Sequence, residues 1–157
     1  MGRIKEQVDF DWAGADASIQ RAIALEPGNS ENVRWAGSLA SILGRFDEAP
    51  QLGRRAVDFD PLNPASWGTL GETKYFMGQL DEAAADVKKS LELSPDAFPG
   101  PVLLSQIYVM QGRPQDALPE IERVPIDPIR ASMNAIAYHA LGREKESDAF
   151  LTGRPSN

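Results

Sequence analysis

The stretch Met77-Gly78-Gln79-Leu80-Asp81-Glu82-Ala83 decides the fold, because close variants of it stand on both sides along the chain. Leu43-Gly44-Arg45-Phe46-Asp47-Glu48-Ala49 precedes it, and Gln111-Gly112-Arg113-Pro114-Gln115-Asp116-Ala117 follows it. The glycines of the three stretches are Gly44, Gly78 and Gly112, so the two intervals between them are equal. A fixed interval of about 34 residues is typical of stacked repeats, in which each unit packs against its neighbours.

A second marker keeps the same spacing. Pro27, Pro61 and Pro95 stand at the same interval as the glycines, and each follows a segment with apolar residues. Because proline disfavours helical backbone in the residue before it, each of them predicts the end of a helix. The glycine of each unit predicts another helix end, since glycine adopts left-handed backbone without a Cβ clash. Each unit therefore reads as two antiparallel helices joined by a short loop.

Apolar residues at helical spacing predict the first helix of each unit. These helices are expected at about Val33–Leu43, Trp67–Met77 and Val102–Met110, each followed by a second amphipathic helix. The predicted core side chains are Trp67, Leu70, Leu104, Ile107 and Tyr108, and Ala49, Ala56, Ala83 and Ala117 stand where paired helices must approach closely.

The whole chain, 1–157, predicts a single all-α domain, an α-solenoid of antiparallel helix hairpins. The predicted divisions are a partial unit at 1–29, units at about 30–63, 64–97 and 98–128, and a C-terminal capping hairpin at 129–152. The partial unit keeps a second helix at about Ala13–Leu25, with Ile4 and Val8 as a remnant of its first. The interval from Gly112 to Gly142 is shorter than the regular one, which predicts a truncated second helix in the fourth unit. The last hairpin is expected at Ala131–Leu141 and Glu144–Thr152.

One unit carries a family signature. Its residues Trp67, Leu70-Gly71, Tyr75, Gly78, Ala83 and Pro95 resemble the tetratricopeptide repeat, a helix–turn–helix unit of about 34 residues. The second unit departs from that pattern at Gly53, where a bulky residue is usual. The resemblance implies a right-handed superhelix whose first helices line a concave wall, and a protein or peptide ligand held against that wall.

The same resemblance implies which side chains form the wall. They are Asn32, Arg34, Ser38 and Ile42 in the second unit, Gly68, Glu72, Tyr75 and Phe76 in the third, Val102, Gln106, Val109 and Met110 in the fourth, and Ile136 and His139 in the last hairpin. The alternative is that Tyr75, Phe76, Val109 and Met110 only pack between neighbouring units.

One subclass of the family clamps the C-terminal carboxylates of chaperones with lysines, an arginine and asparagines. The comparable places here hold Arg34, Ser38 and Thr69, with Ala65, Pro99 and Leu103 elsewhere. A single arginine does not build a clamp for two carboxylates, so we expect no tight binding of a peptide that ends in Glu-Glu-Val-Asp.

Composition argues against several other classes of function. The chain has 16 Lys and Arg against 23 Asp and Glu, a net charge of −7, and such a protein repels nucleic acid. It has no cysteine, a single histidine and no glycine-rich phosphate loop, so we expect no metal site and no cofactor. The pairs Asp47-Glu48 and Asp81-Glu82 recur with the repeat at the start of second helices, where the helix dipole favours acids. We therefore interpret them as structural and expect no enzyme.

Three functions remain to be separated. The first is an adaptor that binds a protein partner. The second is a regulatory tail of a larger bacterial enzyme or transcription factor, because residues 22–29, 60–67 and 137–143 resemble tetratricopeptide tails behind cyclase or DNA-binding domains. The third, an enzyme in its own right, is disfavoured.

The incomplete first unit predicts either an excised segment or self-association through its open face. We expect no membrane insertion, since no window approaches the roughly 20 apolar residues of a membrane helix, and a cytoplasmic location.

Overall fold

The computed structural model describes residues 11–152, and in that range the chain forms nine helices and no strand. They are α1 (Trp12–Leu25), α2 (Ser30–Ile42), α3 (Ala49–Phe59), α4 (Pro64–Phe76), α5 (Leu80–Leu93), α6 (Gly100–Met110), α7 (Pro114–Glu122), α8 (Asp127–Ala140) and α9 (Glu144–Thr152). The pairs α2–α3, α4–α5, α6–α7 and α8–α9 are hairpins that stack in chain order. The predicted all-α solenoid is confirmed. Ile4 and Val8, predicted as a remnant helix, lie outside the described residues.

Each first helix ends at the predicted glycine. Gly44, Gly78, Gly112 and Gly142 have φ between 70° and 74°, the left-handed region that favours glycine. At the end of α4 the amide of Gly78 donates to the carbonyl of Tyr75 at 3.0 Å, and the amide of Gln79 donates to that of Lys74 at 2.9 Å. These two bonds satisfy carbonyl groups that the helix leaves unpaired, which makes the turn a stable stop.

Asparagine side chains start two of the first helices. Asn29 accepts from the amide of Asn32 at 3.2 Å, and Asn63 accepts from that of Ala65 at 2.9 Å. These caps extend α2 and α4 about three residues before their predicted starts. Ala97 stands at the equivalent position of the next unit and has no such group, and α6 begins only at Gly100.

The core follows the prediction with one exception. Ala49, Ala56, Ala83 and Ala117 are fully buried, as are Leu70 and Ile107, while Leu104 and Tyr108 are nearly so. Trp67 is only half-buried, and its indole Nε1 donates to the carbonyl of Pro61 at 2.9 Å. The polar edge of the indole keeps that side chain at the loop, so its assignment to the core was wrong.

Gly53, the departure from the family pattern, has a partner that explains it. A Cβ added to Gly53 would lie 2.9 Å from Cδ1 of Leu70 on the next unit. Leu70 therefore occupies the space that a bulky side chain at position 53 would need.

The C-terminal half matches the shortened spacing. Helix α7 has nine residues, against fourteen in α5, as the missing residues predicted. Helix α8 begins at Asp127, earlier than the predicted Ala131, because Pro128 in its first turn has backbone already set for a helix. The expected division between 128 and 129 therefore falls inside the first turn of α8.

The stack is curved toward its first helices. Helix α2 contacts α4, α4 contacts α6, and α6 contacts α8, whereas between residues 11 and 152 no second helix contacts the second helix of the next unit. Helices that contact each other directly lie on the inner side of a bend. The wall formed by α2, α4, α6 and α8 is therefore the concave one, and we call it the groove.

Candidate protein-binding groove

Three exposed apolar side chains form a regular row in the groove. Ile42, Phe76 and Met110 are the last residues of α2, α4 and α6, and they occupy equivalent positions in three successive units. Their exposed fractions are 60%, 53% and 57%. Large apolar side chains held this far out of the core at equivalent positions are suited to contact a ligand.

A cavity of about 290 Å³ opens between α2, α4, α5 and the start of α6. Of the predicted groove residues it brings together Arg34, Ser38, Gly68 and Glu72. Thr69, Ala65, Pro99 and Leu103, which stand at the places compared with the chaperone clamp, also line it. The cavity is therefore the place where four of the predicted groove residues lie together.

Arg34 is already engaged within the protein. Its Nε and Nη2 atoms donate to the two carboxylate oxygens of Glu31 at 3.1 and 2.7 Å. Glu31 also accepts from Asn63 Nδ2 at 2.9 Å, and the Arg34 guanidinium lies 4.3 Å from the ring centroid of Trp35. The hydrogen bond from Arg34 lowers the pKa of Glu31, which keeps the carboxylate charged and the arginine neutralised.

Glu72 is in the opposite situation. It lines the same cavity from the middle of α4 and is half-buried, and its carboxyl group makes no hydrogen bond or ion pair with any residue in the described range. Burial raises the pKa of its carboxyl group, with no compensating cation. The cavity thus contains a carboxyl group that no partner within 11–152 satisfies.

The remaining residues predicted for α4 and α6 divide into two groups. Tyr75 and Val109 pack against the central core, as the alternative interpretation expected, while Phe76 and Met110 project outward. Val102 and Gln106 are half-buried on α6. Asn32 donates its Nδ2 to the carbonyl of Ala22 at 3.3 Å and so ties α2 to α1.

Ile136 and His139 lie away from the cavity that Arg34 and Glu72 line. They line a second cavity of about 400 Å³ between α8 and α9, together with Leu151. The structure therefore does not gather all the predicted groove residues into one cavity.

Sequence reasoning missed several side chains that line the first cavity, chiefly Phe98 and Ser90. Phe98 is 52% exposed and stands at the rim, in the loop before α6. Its signal was the break in the repeat at this loop, where Ala97-Phe98 replaces the Asn63-Pro64 of the preceding unit.

Two negative observations apply to the described range. No group of three or more His, Asp or Glu side chains there is placed to hold a metal ion. None of the helices α1 to α9 is long and apolar enough to cross a membrane.

Sequence comparison gives two kinds of match. Two family profiles, both described as tetratricopeptide repeat, match residues 11–64 and 64–97, together more than half of the chain. A curated relative, the TPR repeat-containing thioredoxin TTL4 of Arabidopsis thaliana, is 27% identical over 104 residues. That match covers 66% of this chain, and the chain spans only 15% of the length of the relative.

Solved structures resemble the whole stack. The protein TTC0263 of Thermus thermophilus, described as a thermophilic TPR protein, superposes with a TM-score of 0.78 at 20% identity, over 90% of this chain and 80% of that one. The MamA protein gives 0.75 at 18% identity over the same shares. The Naa15/Naa10 complex bound to HypK-THB gives 0.66 at 18% identity, over 90% of this chain and 22% of that one. At these identities the likeness shows the fold alone.

Proposed function

Because the chain belongs to the tetratricopeptide repeat family, whose repeats serve as protein-interaction modules, we propose that it binds a segment of another polypeptide in the groove. The row of Ile42, Phe76 and Met110 supports this proposal most strongly. Apolar side chains that end three successive first helices at more than half exposure leave most of their surface free for a ligand. Burying them against a ligand contributes about 25 cal/mol per Å² of apolar area.

We propose further that the groove binds without catalysing a reaction and does not bind nucleic acid. The net charge of −7 disfavours a phosphate backbone. The acids at the starts of second helices recur with the repeat, as helix-dipole partners do. The adjacent cations Arg54 and Arg55 do not belong to the groove, because they are exposed near the end of the second helix α3. Arg55 is also engaged within the protein, since it donates to the carbonyl of Pro27 at 3.1 Å.

The test compares the partners captured by the unchanged protein with those captured by a variant that lacks two side chains of the exposed row. The double variant Phe76→Ala/Met110→Ala should reduce recovery of specific partners from lysate by about 10-fold or more, since loss of central apolar anchors costs more than about 1 kcal/mol each. Recovery is measured by quantitative mass spectrometry against the unchanged protein. Tyr75 is left intact because it packs against the core, and its removal would disturb folding.

Phe59→Ala is the matched control. Phe59 lies on the second helix α3 and is 43% exposed, so the variant removes a similar ring from outside the groove. The control should recover partners normally. Unchanged recovery with Phe76→Ala/Met110→Ala, or equal losses in both variants, would contradict binding in the groove.

A second proposal is that the chain is a regulatory tail of a larger bacterial protein, and one observation supports the part of it that places such repeats inside a longer protein. The curated relative carries the matched repeats as 15% of a much longer protein. Reading the coding sequence upstream of the Met1 codon tests this proposal. A cyclase or winged-helix domain in the same frame supports it, and an in-frame stop codon contradicts it.

A further inference from the structure

The carboxyl group of Glu72 indicates which chemical group a ligand of the groove would carry. This residue lies on α4, near the centre of the groove, and its half-buried carboxyl group has no hydrogen-bonding or charged partner within residues 11–152. Withdrawing a carboxylate from water without a partner costs free energy. Such a group is a natural site for a donor brought by the ligand.

Arg34, the cation that shares the cavity, does not supply that donor. Its Nε and Nη2 atoms donate to Glu31 at 3.1 and 2.7 Å, Asn63 also donates to Glu31, and within residues 11–152 no hydrogen bond or ion pair joins Arg34 to Glu72. Burial is the cause that raises the pKa of Glu72, with no opposing effect from Arg34. The cavity therefore presents one uncompensated negative charge.

Apolar surface flanks this charge on both sides. Phe76 follows Glu72 by one helical turn and so lies on the same face of α4. Ile42 on α2 and Met110 on α6 extend the apolar row to the neighbouring first helices, and Phe98 stands at the cavity rim. Packed helices lie about 8–10 Å apart, a distance that about three residues of extended peptide span.

Resting on the proposed groove function, we propose that the ligand is a peptide segment with a lysine or arginine flanked by apolar residues, and that its cation pairs with Glu72. A charge-assisted hydrogen bond is the strongest contact that an isolated carboxylate accepts. The net charge of −7 favours approach of a basic segment at long range. The flanking apolar residues, about three positions to either side, bury the exposed row.

The experiment uses three pools of fluorescent nine-residue peptides with blocked termini and the full 157-residue chain. The central residue is Lys, Gln or Glu, the third positions on either side are an equal mixture of Leu, Ile, Phe and Met, and the rest are Ala, Ser or Gly. Binding is followed by fluorescence polarisation. We expect the Lys pool to bind about 10-fold more tightly than the Gln pool, equivalent to about 1.4 kcal/mol, with the Glu pool weakest.

Variants separate a local contact from general attraction. Glu72→Gln should reduce the preference for Lys over Gln to about 2-fold or less while Gln-pool binding persists, because only the charge-assisted bond is lost. Glu122→Gln makes the same change in net charge on the exposed face of α7 and should keep the full preference. Glu72→Lys should reverse the order and favour the Glu pool.

Each outcome decides between the two proposals. If all three pools bind equally, the groove function stands and the basic ligand is wrong. If Glu122→Gln abolishes the preference as fully as Glu72→Gln does, the preference belongs to net charge and the assigned contact is wrong. If no pool binds, the basic ligand is wrong, and partner capture with Phe76→Ala/Met110→Ala decides the groove function separately.

Discussion

Glu31 and Glu72 are two carboxyl groups on neighbouring first helices whose pKa values move in opposite directions. A hydrogen bond from Arg34 lowers the pKa of Glu31, and burial raises that of Glu72. The first shift stabilises the folded chain in its charged form. The second marks a group that the isolated fold carries at a cost, as binding sites commonly do.

Replacing Glu72 should therefore stabilise the protein in a pH-dependent way. The folded-state pKa of Glu72 is raised above the ordinary value of 4.5, so the folded chain binds this proton more tightly than the unfolded chain. Below pH 4.5 the group is protonated in both states and costs little, and as pH rises through its folded pKa the stability decreases. Glu72→Gln should match the unchanged protein in acid and have a higher free energy of unfolding at neutral pH.

Urea unfolding at the two pH values measures this difference, with Glu122→Gln as the exposed control. A stability loss in Glu72→Gln at neutral pH would show that the carboxylate has a stabilising partner. Greater stability together with weaker binding of Lys peptides would show that the same carboxylate destabilises the free protein and contributes to ligand binding.

At the scale of elements, the close approach of α4 and α5 depends on Gly71. A Cβ added there would lie 2.7 Å from Cγ2 of Val87 and 3.1 Å from the carbonyl oxygen of Ala83. Gly68, one turn earlier on α4, is different, since its Cβ would meet Ser90 Oγ at an ordinary 3.4 Å. Alanine at position 71 therefore changes both the helix packing and the helix propensity, whereas alanine at position 68 changes mainly the propensity.

Gly71→Ala should destabilise the chain by about 1 kcal/mol. Overpacking costs about 1–3 kcal/mol, and the better helix propensity of alanine returns up to about 1 kcal/mol. Gly68→Ala has only the propensity gain and should stabilise by about 0.5–1 kcal/mol. Chemical denaturation compares both variants with the unchanged chain, and equal effects of the two would refute the close packing at Gly71.

At the scale of the whole molecule, α1 is the least covered helix. No residue of α1 is buried, and among the helices between residues 11 and 152 it packs only against α2, with one ion pair from Asp16 to Arg45 in the loop after α2. Leu25 at its end is 75% exposed. Self-association through this end of the stack stays a prediction.

Light scattering over a range of concentrations tests it. We expect the measured mass to rise from 17.1 kDa toward twice that value. Leu25→Glu should suppress the rise, because a charge on the apolar face resists burial. Leu62→Glu, at a loop residue that is 74% exposed, should leave it unchanged. A constant monomer mass would remove the prediction.

The sequence by itself determined that hairpins stack in chain order and where their first helices end, but not where those helices begin. Gly78 and its counterparts end a helix because their own backbone adopts the left-handed conformation. Pro61 and Pro95 end a helix because they disfavour helical backbone in the residue before them, so both signals can be read from the local sequence. Their return at a fixed interval then requires stacking, because a single hairpin leaves its apolar face open.

Only the tertiary structure decided which of the predicted groove side chains are exposed and which are packed. Tyr75 and Phe76 are adjacent and both aromatic, yet the first packs against the core and the second is more than half exposed. The lone carboxyl of Glu72 and the bond from Asn63 to Glu31 depend on distances between helices, as does the position of Phe98 at the cavity rim. The sequence periodicity predicts on which face of a helix a residue lies. Whether that residue is buried or exposed depends on the side chains of the neighbouring helices that pack against that face.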